Sequence, residues 1–146
     1  MTIPSGEESG VAVVRYLLAN NAPVVAVVPA SRIIAGDLPL ETAMPAISVT
    51  QVSSVPFSLI RTVETIRQHT DRVQVTVYRK AEPDDRGYPG LKSLLTLVLV
   101  ACAGQRGTIN GVAVDSIMPD IEGSDLPLPE LSLYARSRDF IVRWST

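Results

Sequence analysis

The chain has 146 residues, of which 46% are hydrophobic and 19% charged, so it can bury one core and is not a disordered segment. Its net charge of −2 and isoelectric point near 5.3 argue against a nucleic-acid binder held by phosphate contacts, which needs a clustered basic excess. The single cysteine, Cys102, excludes an intrachain disulfide framework and fits a reducing compartment.

The mean hydropathy of +0.23 is high for a small soluble domain. Two explanations stand: neighbouring subunits cover part of the apolar surface, or Val-rich strands fill the core. Residues 1–8 lack the basic and apolar regions of a signal peptide. The apolar run Leu91–Ala103 is too short to cross a bilayer and contains Lys92. The sequence therefore predicts a soluble protein made in the cytoplasm, without a membrane partner.

The N-terminal segment predicts two helices. Ser5 and Glu8 have the spacing of a capping box, and the apolar residues that follow recur at helical spacing, which predicts a first helix over Gly6–Ala19. A short second helix is predicted over Pro23–Val28, because proline suits the first turn of a helix. Two extended segments come next: Ser31–Pro39 and Ala46–Val52.

Residues 53–70 show neither helical spacing nor strand alternation. Pro56 and several small polar residues predict a long protruding loop or hairpin here, in which Thr62–Ile66 could form a brief strand. Loops of this length are often functional or become ordered on a partner. A tolerated surface insertion is the alternative.

The C-terminal half begins with the clearest strand, Asp71–Lys80, whose valines all lie on one face. A broad apolar stripe predicts a helix over Tyr88–Ala103, covered on more than one side and capped by Gly104. The remaining predicted elements are a strand over Gly111–Met118, a loop over Asp120–Glu130 and a last strand within Leu131–Trp144. This order predicts a single α+β domain over residues 1–146, with a mainly antiparallel sheet and helices packed on one face.

The residues that could carry chemistry are few. One histidine, His69, and one cysteine cannot build a structural zinc site. A Cys102–His69 dyad is formally possible, but Cys102 lies inside an apolar helix rather than at a helix N-terminus, where a thiolate is favoured. Asp120, Glu122 and Asp125 lack the closing glutamate and the preceding helix of a calcium loop.

The chain also lacks phosphate-binding and nucleophile-elbow motifs. A carboxylate pair of the glycosidase type is left open, but nothing in the sequence favours it. The sequence therefore predicts no enzyme: no catalytic residue, no metal site and no cofactor.

Two blocks stand out in the chain: Arg32–Pro39, which reads R-I-I-A-G-D-L-P, and Asp71–Tyr78, which reads D-R-V-Q-V-T-V-Y. Further blocks are Tyr16–Ala22, Val24–Pro29, Met44–Val49, the helix that reaches Ala103, and Arg138–Trp144. In this order, the blocks resemble the tail-completion, or tail-terminator, proteins of long-tailed bacteriophages and related gene transfer agents. The resemblance extends from Val11 to Trp144, and its motifs are structural rather than catalytic.

The resemblance implies a virion subunit of the neck, at the head–tail junction, that is assembled in the host cytoplasm. Such a subunit forms a homo-hexameric ring, caps the head-proximal end of the tail tube, ends tube polymerisation and meets a head-side stopper or connector protein. DNA passes through the lumen without specific binding, which a mildly acidic chain permits.

Subunit contacts in a closed ring join two different surface patches, and strand edges are suitable donors. Candidate contacts with the tube or neck lie in the 53–70 segment: Leu59, Ile60, Arg61, Glu64 and Arg67. The last strand is predicted to be an edge strand for subunit contacts, with Arg138, Phe140, Val142 and Trp144. Local salt bridges or turn caps, rather than partner contacts, are expected of Arg32, Asp37, Asp71 and Arg72.

Two other functions remain open at this point. The chain could be a different structural protein of the neck or tail tube, although tube subunits are usually richer in strands. It could instead be a small-molecule-binding α+β module.

Overall fold

A computed structural model describes residues 9–39, 41–58, 66–80, 88–123, 126–128 and 133–145. Within these ranges the chain forms three helices, seven strands and a 3-10 turn over Ala30–Arg32. In chain order the helices and strands are α1 (Gly10–Ala19), α2 (Ala22–Val25), β1 (Ile33–Ala35), β2 (Ala46–Ser58), β3 (Ile66–Lys80), α3 (Tyr88–Cys102), β4 (Gly107–Ile109), β5 (Val112–Glu122), β6 (Leu126–Leu128) and β7 (Leu133–Ser145).

The strands form one sheet in the order β1-β2-β3-β7-β5-β4, with β6 paired to β7. β1 and β2 are parallel, and the other pairs among the described strands are antiparallel. All three helices contribute to the single core that covers one face of the sheet. The predicted α+β fold, mainly antiparallel with helices on one face, is confirmed.

Helix α1 begins at Gly10, later than predicted. Ser9 has extended backbone angles and its hydroxyl accepts from the backbone N–H of Ala12 at 3.2 Å, so Ser9 is the N-cap. The predicted capping box of Ser5 and Glu8 lies outside the described residues. The C-terminus is as expected, because Asn20 follows the last helical residue.

The buried face of the sheet follows the valine alternation that the sequence shows. Val73, Val75 and Val77 of β3 are fully buried, whereas Gln74 and Thr76 lie on the other face and are half-buried. Apolar burial contributes about 25 cal/mol per Å², so this face and the helices above it supply most of the stability.

Helix α3 confirms the predicted boundaries to within one residue, and Gly104 follows it at φ 77°, a region that favours glycine. The predicted apolar stripe is buried: Leu91, Leu94, Leu95, Val98 and Cys102. The side that carries Val100 is left uncovered by the described residues, since Val100 is 69% exposed. The expectation of cover on more than one side is not met there.

The segment 53–70, predicted as a protruding loop or hairpin, and the predicted loop Asp120–Glu130 both contain strands. β2 continues to Ser58, and its pairing with β3 runs to the pair Ser58–Ile66, so residues 53–58 and 66–70 belong to a strand pair. Residues 59–65 lie outside the described residues. The predicted loop Asp120–Glu130 likewise contains the end of β5 and all of β6. Register shifts in both ladders break the two-residue alternation on which strand prediction depends.

The prediction that the last strand is an edge strand is wrong. β7 pairs with β3 on one side and with β5 and β6 on the other. Phe140, Val142 and Trp144 are buried on the core face, and Arg138 is half-buried. Alternation along a strand shows only that one face of the sheet is covered. Central and edge strands of such a sheet both show it, so it could not identify β7 as an edge strand.

Candidate assembly surface

The two nucleophile candidates are held in structural roles. Cys102 is buried in α3, and burial raises the pKa of its thiol to about 12. His69 is buried in β3, and its ring stacks on Trp144 with the centroids 4.1 Å apart. Its Nε2 atom has no hydrogen-bond partner. A protonated thiol in an apolar core and a stacked imidazole without a partner provide neither an activated nucleophile nor an oriented base.

A buried carboxylate ties the first helix to the sheet. Asp71 is 1% exposed, and its Oδ2 accepts from the backbone N–H of Gly10 at 2.8 Å and from Nε1 of Trp144 at 2.9 Å. Its Oδ1 accepts from the hydroxyl of Ser54 at 2.5 Å. The carboxylate thus lies at the N-terminus of α1, where the helix dipole favours negative charge. Asp71 therefore joins α1, β2, β3 and β7.

Ion pairs fasten the end of β5 to its neighbours. Arg72 contacts Asp120 and, at 3.1 Å, Asp139, and hydrogen bonds to these two carboxylates raise the pKa of Arg72. Glu122 contacts Nε of Arg136 at 3.1 Å and NH2 of Arg138 at 3.7 Å. These acids are therefore neutralised within the chain rather than offered to a partner.

Of the four charged residues expected to act locally, Asp71 and Arg72 do so. Nε of Arg32 is buried without a hydrogen-bond partner. Asp37 is exposed. The pKa of Tyr78 is raised mainly by burial and, to a smaller extent, by the negative charge of Asp37.

Two strand edges are open. β1 covers the outer edge of β2 only at residues 47–49, so 50–58 lack a partner on that side among the described residues. β4 covers β5 at residues 112–114, and the backbone N–H of Gly104 donates to the carbonyl of Ile117 at 2.9 Å. Among the described residues, the outer edge of β5 is therefore open from 118 to 122. The unpaired N–H and C=O groups of such edges are templates for another chain. These two stretches, called the β2 edge (50–58) and the β5 edge (118–122), form the candidate assembly surface.

Exposed apolar side chains concentrate on these two edges. The β2 edge carries Val52 and Val55, which are 54% and 62% exposed, and the β5 edge carries Met118 and Ile121, which are 53% and 65% exposed. Large apolar side chains at such exposure often mark an interface. Sequence reasoning missed them, because register shifts at 51–53 and 119–122 break the alternation that separates buried from exposed positions in a regular strand.

Most of the contact residues predicted from the sequence lie outside the described residues. Leu59, Ile60, Arg61 and Glu64 lie outside the described residues, between β2 and β3. Arg67 is in β3, but nothing is described of its side chain.

Two surface depressions bear on small-molecule binding. One, of about 430 Å³, lies on α1 between Ala35 and Asn110 and includes the exposed Tyr16. The other, of about 390 Å³, is lined by Gln74, Tyr78 and other residues on the outer face of the sheet. Sites for small molecules are usually concave, mostly apolar and equipped with convergent polar groups. The second depression is lined mainly by polar rather than apolar side chains. Among the described residues, no group of three metal-ligating side chains comes together.

None of the described helices has both the length and the apolar character needed to cross a membrane.

Comparisons with known proteins bear on the fold. No protein-family model matches the chain, and no curated protein matches it. Among solved structures, a chain of the virion of a native gene transfer agent particle is similar, with a TM-score of 0.67 and 12% sequence identity. The match covers 94% of this chain and 96% of the other. The two chains therefore share a fold over nearly their whole lengths.

Proposed function

We propose that this protein is a structural virion subunit that caps the head-proximal end of a phage-like tail tube. In this role it forms a homo-hexameric ring, ends tube polymerisation and joins the tail to a head-side connector, while DNA passes through the lumen without specific binding. The observation that carries the proposal is the shared fold, from end to end, with a chain of a gene transfer agent virion.

The side-chain environment supports a role in contact rather than in chemistry. Burial raises the pKa of Cys102, His69 has no partner at Nε2, and the acids near β5 are paired with arginines. The open β2 and β5 edges supply two different patches, as a closed ring requires. The segment between β2 and β3, with Leu59, Ile60, Arg61 and Glu64, is the proposed contact with the tube or neck, together with Arg67 at the start of β3.

Deletion of the gene in the cell that produces the particles tests this function. Electron micrographs should show filled heads and separate tails of irregular length, because nothing ends the tube or joins it to the head. A complete absence of tails would assign the protein to the tube itself, and normal particles would refute the proposal.

Complementation tests the absence of chemistry. A wild-type copy should restore joined particles, and so should a copy that carries His69→Ala and Cys102→Ala, apart from a stability cost of about 1–2 kcal/mol for the buried positions. If the double variant folds but does not restore joined particles, the protein acts through chemistry and the proposal is wrong.

A further inference from the structure

The exposed apolar side chains on the two edges have matching spacing. Val52 and Val55 are three positions apart on the β2 edge, and Met118 and Ile121 are three positions apart on the β5 edge. In an antiparallel pairing of the two edges, one register brings Val52 opposite Ile121 and Val55 opposite Met118 at the same time. Directly opposite pairs of this kind are the unit of stabilisation in a sheet.

Two of the four side chains are presented by bulges. Val52 falls in the register shift between Gln51 and Ser53 of the β2–β3 ladder. Ile121 falls in the shift between Pro119 and Glu122 of the β5–β7 ladder. A bulge leaves a residue unpaired and re-aims its side chain, so these residues are turned away from the partners within the chain.

The same register fits the flanking strands. β1 occupies the edge of β2 up to Val49, and β4 occupies the edge of β5 up to Val114. With Val52 opposite Ile121, the pairing runs from Val55 opposite Met118 to Gln51 opposite Glu122. β1 of one copy lies beyond one end of this ladder. β4 and Gly104 of the other copy lie beyond the opposite end, so β2 has to turn away from the boundary at Pro56.

Strand directions decide between parallel and antiparallel pairing. β2 is antiparallel to β3, β3 to β7, and β7 to β5, so β2 and β5 run in opposite directions in one subunit. If a second copy is added in the same orientation, as around a ring axis, its β2 edge meets the β5 edge of the first in antiparallel fashion. The alternation of the sheet continues across the boundary.

Burial of the exposed apolar side chains favours unlike edges over like edges. The acids of the β5 edge, Asp120 and Glu122, are paired with arginines of their own chain, so their charge does not oppose the pairing. Pairing two β5 edges would leave Val52 and Val55 exposed in every copy. Pairing two β2 edges would leave Met118 and Ile121 exposed in every copy. Head-to-tail pairing avoids both costs.

We infer that the occupant of each open edge is a second copy of this chain, joined β5 edge to β2 edge in the antiparallel register that places Val52 opposite Ile121 and Val55 opposite Met118. This inference rests on the proposed self-assembly and specifies its interface. Pro119 lies within this ladder and removes one donor from it, and Pro56 lies just beyond its end. The interface is therefore built from side-chain contacts as well as backbone pairing.

Disulfide trapping tests the register. The double variant Val52→Cys/Ile121→Cys, concentrated and mildly oxidised, should form a ladder of covalent oligomers, because directly opposite Cα atoms are about 4.5–5.5 Å apart, within the range that a disulfide spans. Cys102 can stay, since it is buried. A matched control is Val52→Cys/Val100→Cys, because Val100 is at least as exposed but lies on α3; it should form no ladder.

Other outcomes overturn the inference. Dimers from Val52→Cys alone would show pairing of like β2 edges. A ladder from Val52→Cys/Met118→Cys instead would show a parallel arrangement, since in the inferred register these positions are about 10 Å apart along the strand. Sedimentation that shows self-association without any of these cross-links would place the interface elsewhere. A chain that stays monomeric when concentrated would also refute the pairing, whereas the gene deletion decides the proposed function separately.

A charge exchange supplies a second test that needs no cross-link. Val55→Lys should weaken self-association about tenfold or more, because it replaces an apolar contact by a charge. Met118→Glu should do the same, and the double variant should recover most of the loss. Since both side chains are more than half exposed, the variants should fold as the wild type does. If the double variant is as weak as the sum of its parts, the two residues are not in contact.

Discussion

Removal of the Asp71 carboxylate should be among the most damaging single changes in this protein. Asp71→Ala leaves three donors without their acceptor: the N–H of Gly10, the indole N–H of Trp144 and the hydroxyl of Ser54. The first two hydrogen bonds are buried, so water does not readily replace the carboxylate. The change also frees the N-terminus of α1 from the sheet.

The size of the effect can be estimated from these contacts. An unsatisfied buried donor costs about 1–3 kcal/mol. Two such donors, less the relief from no longer burying a charge, give a loss of about 2–4 kcal/mol. Asp71→Asn should cost only about 1–2 kcal/mol. Its amide oxygen can accept from Gly10 and Trp144, while its NH2 group donates to the hydroxyl of Ser54.

Urea unfolding of the two variants measures the difference, provided that the slope with denaturant is unchanged. Asp139→Ala is a matched control, because Asp139 is half-buried and pairs with Arg72; it should cost about 1 kcal/mol or less. The indole N–H signal of Trp144, the one tryptophan in the chain, should shift most in Asp71→Ala. Equal losses in the Ala and Asn variants, or a loss below about 1 kcal/mol for Ala, would refute the reasoning.

Three further changes test other parts of the fold. Because burial raises the pKa of Cys102 to about 12 from about 8.5 in an unfolded chain, folding favours the protonated thiol. The contribution of the thiol to stability is complete below the unfolded pKa and is lost as the pH rises toward the folded pKa. In urea titrations across this pH range, the wild type should therefore lose stability relative to Cys102→Ala. Parallel curves of stability against pH would contradict this. His69→Phe should keep the stack on Trp144 and leave unfolding unchanged or raise its free energy by about 1 kcal/mol; a clear loss would mean that the imidazole has an unseen partner. Gly10→Ala places a Cβ 2.8 Å from Cβ of Asp71. It should cost about 1–3 kcal/mol in thermal or urea unfolding, although alanine is the better helix former. Equal stability of variant and wild type would show that α1 shifts freely.

Local patterns in the sequence were sufficient for the main layers of the fold. The alternation of Val73, Val75 and Val77 identified β3 and its buried face, and the stripe from Leu91 to Cys102 identified α3. These predictions succeed because a strand or helix with one buried face must repeat at its own geometric period. The scarcity of nucleophiles and bases was equally visible in the residue counts.

Helix capping shows how a local signal can be ambiguous. Ser5 with Glu8 and Ser9 without a partner glutamate both lie before the same apolar run. Ser9 caps the described helix, because the helix starts where the backbone N–H of Gly10 donates to the carboxylate of Asp71. Asp71 is distant in sequence, so no local pattern could express that constraint.

The sequence by itself determined the α+β class, the two strongest elements and the lack of obvious catalytic groups, since these depend on composition and short-range periodicity. Only the tertiary structure decided which strand edges are open. Alternation looks the same in the central β7 as in an edge strand, and bulges hid the ends of β2 and β5. The surface that we propose for assembly depends on which strands have neighbours, and pairing between strands far apart in the chain leaves no mark in either strand alone.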